Sequence, residues 1–285
     1  MRIVDAHHHL WDPRVLDYTL LNEHGKLAPL AKPFLAGTFD AVAEKNGITD
    51  AIAVEATSAG ADPAAETRWL LDQVGHSTVT RRVVVWAPIE RPAVGGYLDA
   101  LLSAGGSRIV GVRRSFEFVD PGFASSKEVI AGIRAVAARG LVFDLVLFAE
   151  RLPEVTALVR QVPEAAFVLD HLGKPPVSDT VPDAWKRDLA ALAKLPNVAA
   201  KVSGLVTEAV TTAWNGDMLR PYIDHAAASF GWDRLMFASD WPVCELAGGY
   251  RRWLETTMAA VDGATKAEQA AFVHATADRV YRRTG

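Results

Sequence analysis

Val4-Asp5-Ala6-His7-His8-His9-Leu10-Trp11-Asp12-Pro13 opens the chain with a short apolar strand that runs straight into three adjacent histidines. Residues 1–6 read as the strand proper, with His7 and His9 as its last residues. Side chains alternate along an extended chain, so His7 and His9 face one side, Asp5 joins them one step back, and His8 faces the other. The two imidazoles are then about 6.5 Å apart along the chain. Such an i, i+2 pair can close on one metal ion and supply two ligands of a four- or five-coordinate site. A tag remnant would not be embedded between a strand and Leu-Trp-Asp-Pro.

Working outward, the pattern of a short apolar strand followed by a helix repeats. Further strands are expected over 50–55, 82–87, 108–113, 141–148, 166–171, 197–203 and 234–240. A helix capped by Thr38 is expected to run to Asn46 with Gly47 as its stop. Others are expected from Asp62-Pro63 to about Val74, and over 94–103, 125–138, 152–161, 183–194 and 219–230, with two helical segments closing the chain. Residues 11–37 form a long connection rich in Leu and Pro, and a loop of that length is more often functional than idle. Eight strands alternating with helices imply an α/β protein with a parallel sheet. The count favours a closed (β/α)8 barrel of the TIM type over an open doubly wound sheet. Gly95-Gly96, Gly105-Gly106 and Gly248-Gly249 lack the context of a dinucleotide or phosphate loop. No linker interrupts the pattern, so residues 1–285 read as a single domain.

The length of 285 residues agrees with this, since about 250 residues is usual for such a barrel. Half the residues are hydrophobic and the net charge is −4 without long runs, which excludes a nucleic-acid or membrane-surface footprint. No run of 18 apolar residues marks a transmembrane span, and the immediate first strand leaves no room for a signal peptide. Cys244 is the only cysteine, so no intrachain disulfide can form and a reducing cytoplasm is the natural setting. A homo-oligomer is compatible with all of this.

In a β/α barrel the reacting groups come from the carboxyl ends of the strands. Here those ends carry His7 and His9, Glu55, Arg113, Asp144, His171 with Lys174, Lys201 with Ser203, and Asp240. Singly, each has a plain structural reading: Glu55 and Asp144 as partners of loop amides, Lys201 as an interior partner of Asp144, the arginines as solvated. Together, His7, His9, His171 and Asp240 converge on one mouth and fit a mononuclear zinc-type site. Asp240 has a second use, as the acceptor of a proton from an attacking water.

Residues 5–13, 169–176 (Leu-Asp-His-Leu-Gly-Lys-Pro-Pro), 201–208 (Lys-Val-Ser-Gly-Leu-Val-Thr-Glu) and 234–243 (Arg-Leu-Met-Phe-Ala-Ser-Asp-Trp-Pro-Val) resemble the lactonase branch of the amidohydrolase superfamily, nearest to its L-fuconolactonase and L-rhamnonolactonase type. The resemblance runs from residue 1 to about 250. It implies a distorted barrel that hydrolyses a lactone to a hydroxy acid. It maps the first-strand metal ligands to His7 and His9, the sixth-strand histidine to His171 and the eighth-strand aspartate to Asp240. Binuclear members add a Lys or Glu on strand four and a His on strand five; Val112-Arg113 and Phe143-Asp144 stand there instead, which argues for at most one divalent ion, with zinc as the expected metal. Lactones are activated esters, so metal-free catalysis is the alternative.

The mechanism then expected has Asp240 as base, the metal, His171 or Arg113 as partner of the developing oxyanion, and Trp11, Glu55, Asp144, Lys174 and Trp241 as further substrate contacts. A small-molecule sugar lactone is the first substrate class. Its rivals are an anionic lactone of aromatic degradation clamped by Arg113, Arg114 and Arg151, a metal-dependent decarboxylase, and a non-catalytic sugar-binding barrel.

Overall fold

Eight parallel strands form one sheet in chain order: β1 (Val4–His8), β2 (Asp50–Val54), β3 (Thr80–Trp86), β4 (Ile109–Ser115), β5 (Val142–Val146), β6 (Phe167–Leu169), β7 (Val198–Val202) and β8 (Leu235–Phe237). The computed structural model describes residues 2–18, 21, 25–60, 62, 64–209 and 214–282. Met1 and Pro63, which the sequence reading puts at the start of the first strand and of the second helix, lie outside the described residues. The last strand returns to the first: Asp240 N–H donates to the His7 carbonyl at 2.8 Å and His9 N–H to the Trp241 carbonyl at 2.6 Å. The barrel is thereby nearly closed, with its seam stitched just past the carboxyl ends of β1 and β8.

The outer layer is α1 (Ala36–Asn46), α2 (Ala65–His76), α3 (Val94–Gly105), α4 (Lys127–Ala137), α5 (Leu152–Gln161), α6 (Asp183–Ala193), α7 (Gly216–Phe230) and α8 (Tyr250–Val261). Two short helices, α9 (Lys266–Ala270) and α10 (Thr276–Val280), flank a π-helical turn, Ala271–Ala275. Gly47 ends α1 in the left-handed conformation at φ 69° as expected. The start differs: α1 begins two residues before Thr38, because the side chain of Gln73 accepts the Ala36 N–H at 3.1 Å and does the work of a local cap. Ser126 caps α4 by accepting the Val129 N–H, which is the ordinary N-cap geometry. None of the described helices is long and apolar enough to cross a membrane.

The barrel interior is stacked in three tiers. The lowest is apolar: Val4, Val110, Val142, Val168, Ala199 and Met236 point inward, and Ala277 and Tyr281 rise among them from below. The middle tier is ionic, with Asp144, Asp170, Lys201 and His7 fully buried. The upper tier opens into a cavity. Alternation along β5 (Val142, Asp144, Val146) and β7 (Ala199, Lys201, then Ser203) delivers one residue to each tier.

The first strand departs from simple alternation, and this corrects the sequence reading. Pairing of β1 with β2 runs Val4–Asp50, Asp5–Ala51, then His8–Ala53, so one extra residue is bulged into β1. A bulge resets which face the later residues occupy. Asp5 therefore does not share the side of His7 and His9: its carboxylate accepts from the Tyr250 hydroxyl at 2.9 Å, on the helix side. His8 also faces outward and stacks on Phe39 with ring centroids 3.7 Å apart.

Candidate active site

The expected sixth and eighth strands stop short, at Leu169 and Phe237, and the residues beyond them turn sharply. His171 (φ 53°), Leu172 (φ 51°), Lys174 (φ 43°) and Asp240 (φ 58°) all adopt left-handed backbone, as does Thr57 (φ 56°) past β2. Each such residue costs on the order of 1–3 kcal/mol and persists only where its surroundings over-determine it. Here the turn is what aims the His171 and Asp240 side chains back over the barrel axis. Gly204 gives His171 its room: at φ 69°, an added Cβ would stand 2.8 Å from the His171 ring.

At the centre, His7 Nε2 lies 3.1 Å from His9 Nε2. Asp240 Oδ1 is 3.4 Å from His9 Nε2 and 3.8 Å from His7 Nε2. Ligand atoms of His7, His171 and Asp240 fall within 4.8 Å of one another. Each imidazole is held by its other nitrogen. His9 Nδ1 donates to the Val54 carbonyl at 2.9 Å, His171 Nδ1 meets Ser203 Oγ at 2.8 Å, and His7 Nδ1 faces Asp170 at 3.4 Å and Lys201 at 3.1 Å. Metal-binding histidines are characteristically fixed in this way by their second nitrogen.

The electrostatics match. Burial, reinforced by the Lys201 ammonium, pushes His7 well below the usual imidazole range, and burial pushes His171 down to about 4. Both are neutral and fit to ligate. Burial alone would raise the Asp240 carboxyl, but the facing His171, His9 and His7 imidazoles outweigh it and hold it below the usual carboxylate range. Ion pairs run from Glu55 through Arg113, Asp170 and Lys201 to Asp144. With Asp240 that chain counts four carboxylates against two cations, and a divalent cation would balance the excess of two. His7, His9, His171 and Asp240 are thus residues that could hold one divalent metal.

Above them lies a cavity of about 310 Å³. Trp11 forms one wall, its indole N–H donated to the Leu30 and Lys32 carbonyls at 3.0 and 3.1 Å. Phe118 and Phe148 line the cavity as well, with ring centroids 5.6 Å apart. Tyr18 enters through a small antiparallel pair, Asp17–Tyr18 with Ser58–Ala59. Arg113 and Lys174 reach the cavity, but neither is uncommitted. Arg113 Nε donates to Glu55 Oε1 at 2.6 Å, and Lys174 Nζ to Glu117 Oε1 at 2.5 Å.

Three expected substrate contacts are placed elsewhere. Asp144 sits one tier too deep, bound to Lys201 Nζ at 2.5 Å and to the Tyr281 hydroxyl. Glu55 is buried, with its carboxylate taken by Arg113 and by the Thr57 N–H at 2.6 Å. Trp241 turns outward and packs on Phe34 and Phe39 at 5.2 Å from each. Asp170, Glu117, Tyr18 and Phe148 belong to the site or its support and escaped the sequence reading. Asp170 left a trace there as the neighbour of His171, Phe148 as the end of the fifth strand and Tyr18 within the long 11–37 connection.

Comparison with known proteins places this geometry. The amidohydrolase family's profile matches residues 4–283. An L-fucono-1,5-lactonase of Burkholderia multivorans is 31% identical over 299 residues, covering 98% of this chain and 95% of that one. An L-rhamnono-gamma-lactonase of Scheffersomyces stipitis is 25% identical over 209 residues, 63% of this chain and 62% of its own. A crystal structure of an amidohydrolase from Burkholderia multivorans with bound zinc superposes with a TM-score of 0.90 at 30% identity, over 99% of both chains. From the first strand to the last helix, this chain belongs to the amidohydrolase family.

Proposed function

We propose that this protein is a lactonase that opens a neutral sugar lactone to its hydroxy acid, in carbohydrate metabolism, and that His7, His9, His171 and Asp240 hold one divalent ion, zinc by choice. The observation that carries this is the convergence of three imidazoles and one carboxylate beneath the cavity, with every imidazole fixed by its second nitrogen. A Burkholderia multivorans relative named as an L-fucono-1,5-lactonase and a neighbour with bound zinc support it. A setting in the cytoplasm fits the single, buried Cys244.

When bound, the ion would act as a Lewis acid toward carbonyl and water. The protein's own groups do the rest. Asp240, as the carboxylate, accepts the proton of the attacking water and later returns it to the leaving alkoxide. His171, pinned by Ser203, stands within 4.8 Å of Asp240. Arg113 has five N–H donors, three of them directed at Glu55 and Asp170, and offers the others to the developing oxyanion. The Lys174–Glu117 pair presents both a donor and an acceptor to ring hydroxyls, while the Trp11 wall covers an apolar ring face.

The matching of cavity cations by carboxylates favours a neutral substrate over an anionic one. Arg114 pairs with Glu90 and Arg151 with Glu154, and neither lines the cavity. Proton release on a panel of aldonolactones and 2-pyrone-4,6-dicarboxylate, with and without chelator, tests the reading. Turnover of a neutral aldonolactone that chelator abolishes is expected. Turnover of the anionic lactone alone would overturn the substrate class, and chelator-insensitive turnover would overturn the metal.

A further inference from the structure

The ionic tier beneath the cavity is larger than a metal site needs. Lys201 Nζ is fully buried and lies 2.5 Å from Asp144 Oδ2, 2.8 Å from Asp170 Oδ1 and 3.1 Å from His7 Nδ1. From below, the Tyr281 hydroxyl reaches both oxygens of Asp144, at 2.9 and 2.8 Å. Tyr281 follows directly on α10, so the segment after that helix plugs the barrel and reaches the first strand's histidine through two intermediaries, Asp144 and Lys201.

The position of Lys201 matters because an ammonium can only donate. If Lys201 donates to His7 Nδ1, the ring proton must sit on Nε2, the nitrogen that faces His9 and Asp240. If the carboxylates hold Lys201, Nδ1 can carry the proton toward Asp170 Oδ1, 3.4 Å away, and Nε2 presents a bare lone pair to the mouth. Asp170 Oδ1 is fully buried and already holds the Lys201 ammonium at 2.8 Å, and a carboxylate oxygen has a second lone pair free to take that proton. Asp144 is the carboxylate nearest Lys201, and Tyr281 is what pins Asp144. Burial, against the pull of Lys201, pushes the Asp144 carboxyl up to about 6, and the Tyr281 hydroxyl helps to keep it ionised.

We propose that Tyr281 is a positioning residue of the active site: acting through Asp144 and Lys201, it sets which nitrogen of His7 faces the mouth bare, and with it the site's hold on a divalent cation. This rests on the metal reading given above. Tyr281→Phe keeps the ring in the plug and removes only the hydroxyl. Val280→Ala, on the neighbouring packing position, loosens the same plug without touching the ionic tier.

The test is the zinc dissociation constant of the metal-stripped full chain, read by competition with a chromophoric chelator, alongside kcat and KM. Tyr281→Phe is expected to weaken zinc about tenfold, at the low end for outer partners of a ligand, and to lower kcat with KM unchanged. Asp144→Asn should do the same, and the double variant should be no weaker than Asp144→Asn alone, as for two members of one chain of contacts. Val280→Ala should bind zinc as the parent does. Parent-like zinc affinity in Tyr281→Phe, an equal loss in Val280→Ala, or additive losses in the double variant would each overturn the proposal. If Tyr281→Phe fails to fold, parent-like zinc affinity in Asp144→Asn overturns it. A parent protein that binds no zinc would instead sink the metal reading, and this proposal with it.

Discussion

Below Lys201 the barrel is filled by Val4, Val142, Val168 and Met236 on regular inward-facing strand positions; above it, His171 and Asp240 sit past the ends of their strands on left-handed backbone, and His7 and His9 follow a bulge in β1. The lower interior obeys the strand period and is satisfied by close packing. The upper interior breaks the period by a bulge in β1 and by left-handed turns at Thr57, His171 and Asp240. It also gathers charge that packing alone would exclude. Strain and buried charge are concentrated where chemistry is proposed, and the apolar tier with the helical layer supplies the stability that tolerates them.

That contrast can be broken from the top first. Asp240→Asn removes the proposed base from a backbone position that Asn also tolerates. It should lower kcat by about 10²–10⁴-fold while the melting temperature stays near the parent's; parent-like kcat would dissolve the proposed role. His7→Ala should weaken zinc by about a hundredfold or more, since a ligand outweighs its outer partners, measured by metal content after dialysis against a weak chelator. Gly204→Ala meets both a left-handed backbone and the His171 ring. A loss of about 3 kcal/mol on denaturant unfolding is expected, together with reduced kcat.

A smaller effect concerns Glu66, whose carboxylate accepts the Ala56 and Ser58 N–H groups at 2.6 and 3.0 Å and so shapes the cavity edge. Burial, with the nearby Glu55 charge, pushes its carboxyl from 4.5 up to about 7. Between those values the folded protein keeps a proton that the unfolded chain has lost. Stability from this group is therefore full below pH 4.5 and declines as pH rises toward 7, by at most about 3 kcal/mol. Glu66→Gln should flatten melting temperature against pH in that window; an unchanged slope would assign the dependence elsewhere. Smallest of all, Ile52→Val in the lower interior should cost about 1 kcal/mol and leave kcat and KM alone. A change in kcat there would mean that the two ends are not independent.

The same contrast explains what was legible in the sequence. Period-2 apolar runs followed by helix signals disclose the eight strands, and the strand ends disclose His7, His9, His171 and Asp240, because both are local patterns. The rest depends on distant partners. The bulge that turns Asp5 away from His7 has no signature in Val4-Asp5-Ala6-His7. Gln73 supplies the first N–H partner of α1 from the next helix. Asp144 and Glu55 look like mouth residues until Lys201, Tyr281 and Arg113 are brought to them across the barrel. Trp241 follows Asp240 in sequence, yet the left-handed turn at Asp240 sends the two side chains opposite ways.

The seam between β1 and β8 has a consequence for synthesis. His7 and His9 emerge from the ribosome more than 200 residues before Asp240, and Tyr281 later still. The groups proposed to act together, and the hydrogen bonds that join His7 to Asp240 and His9 to Trp241, cannot meet until translation has delivered the eighth strand. A nascent or prematurely terminated chain therefore carries histidines without their carboxylate, and the active site comes into being only as the barrel's last gap is drawn shut.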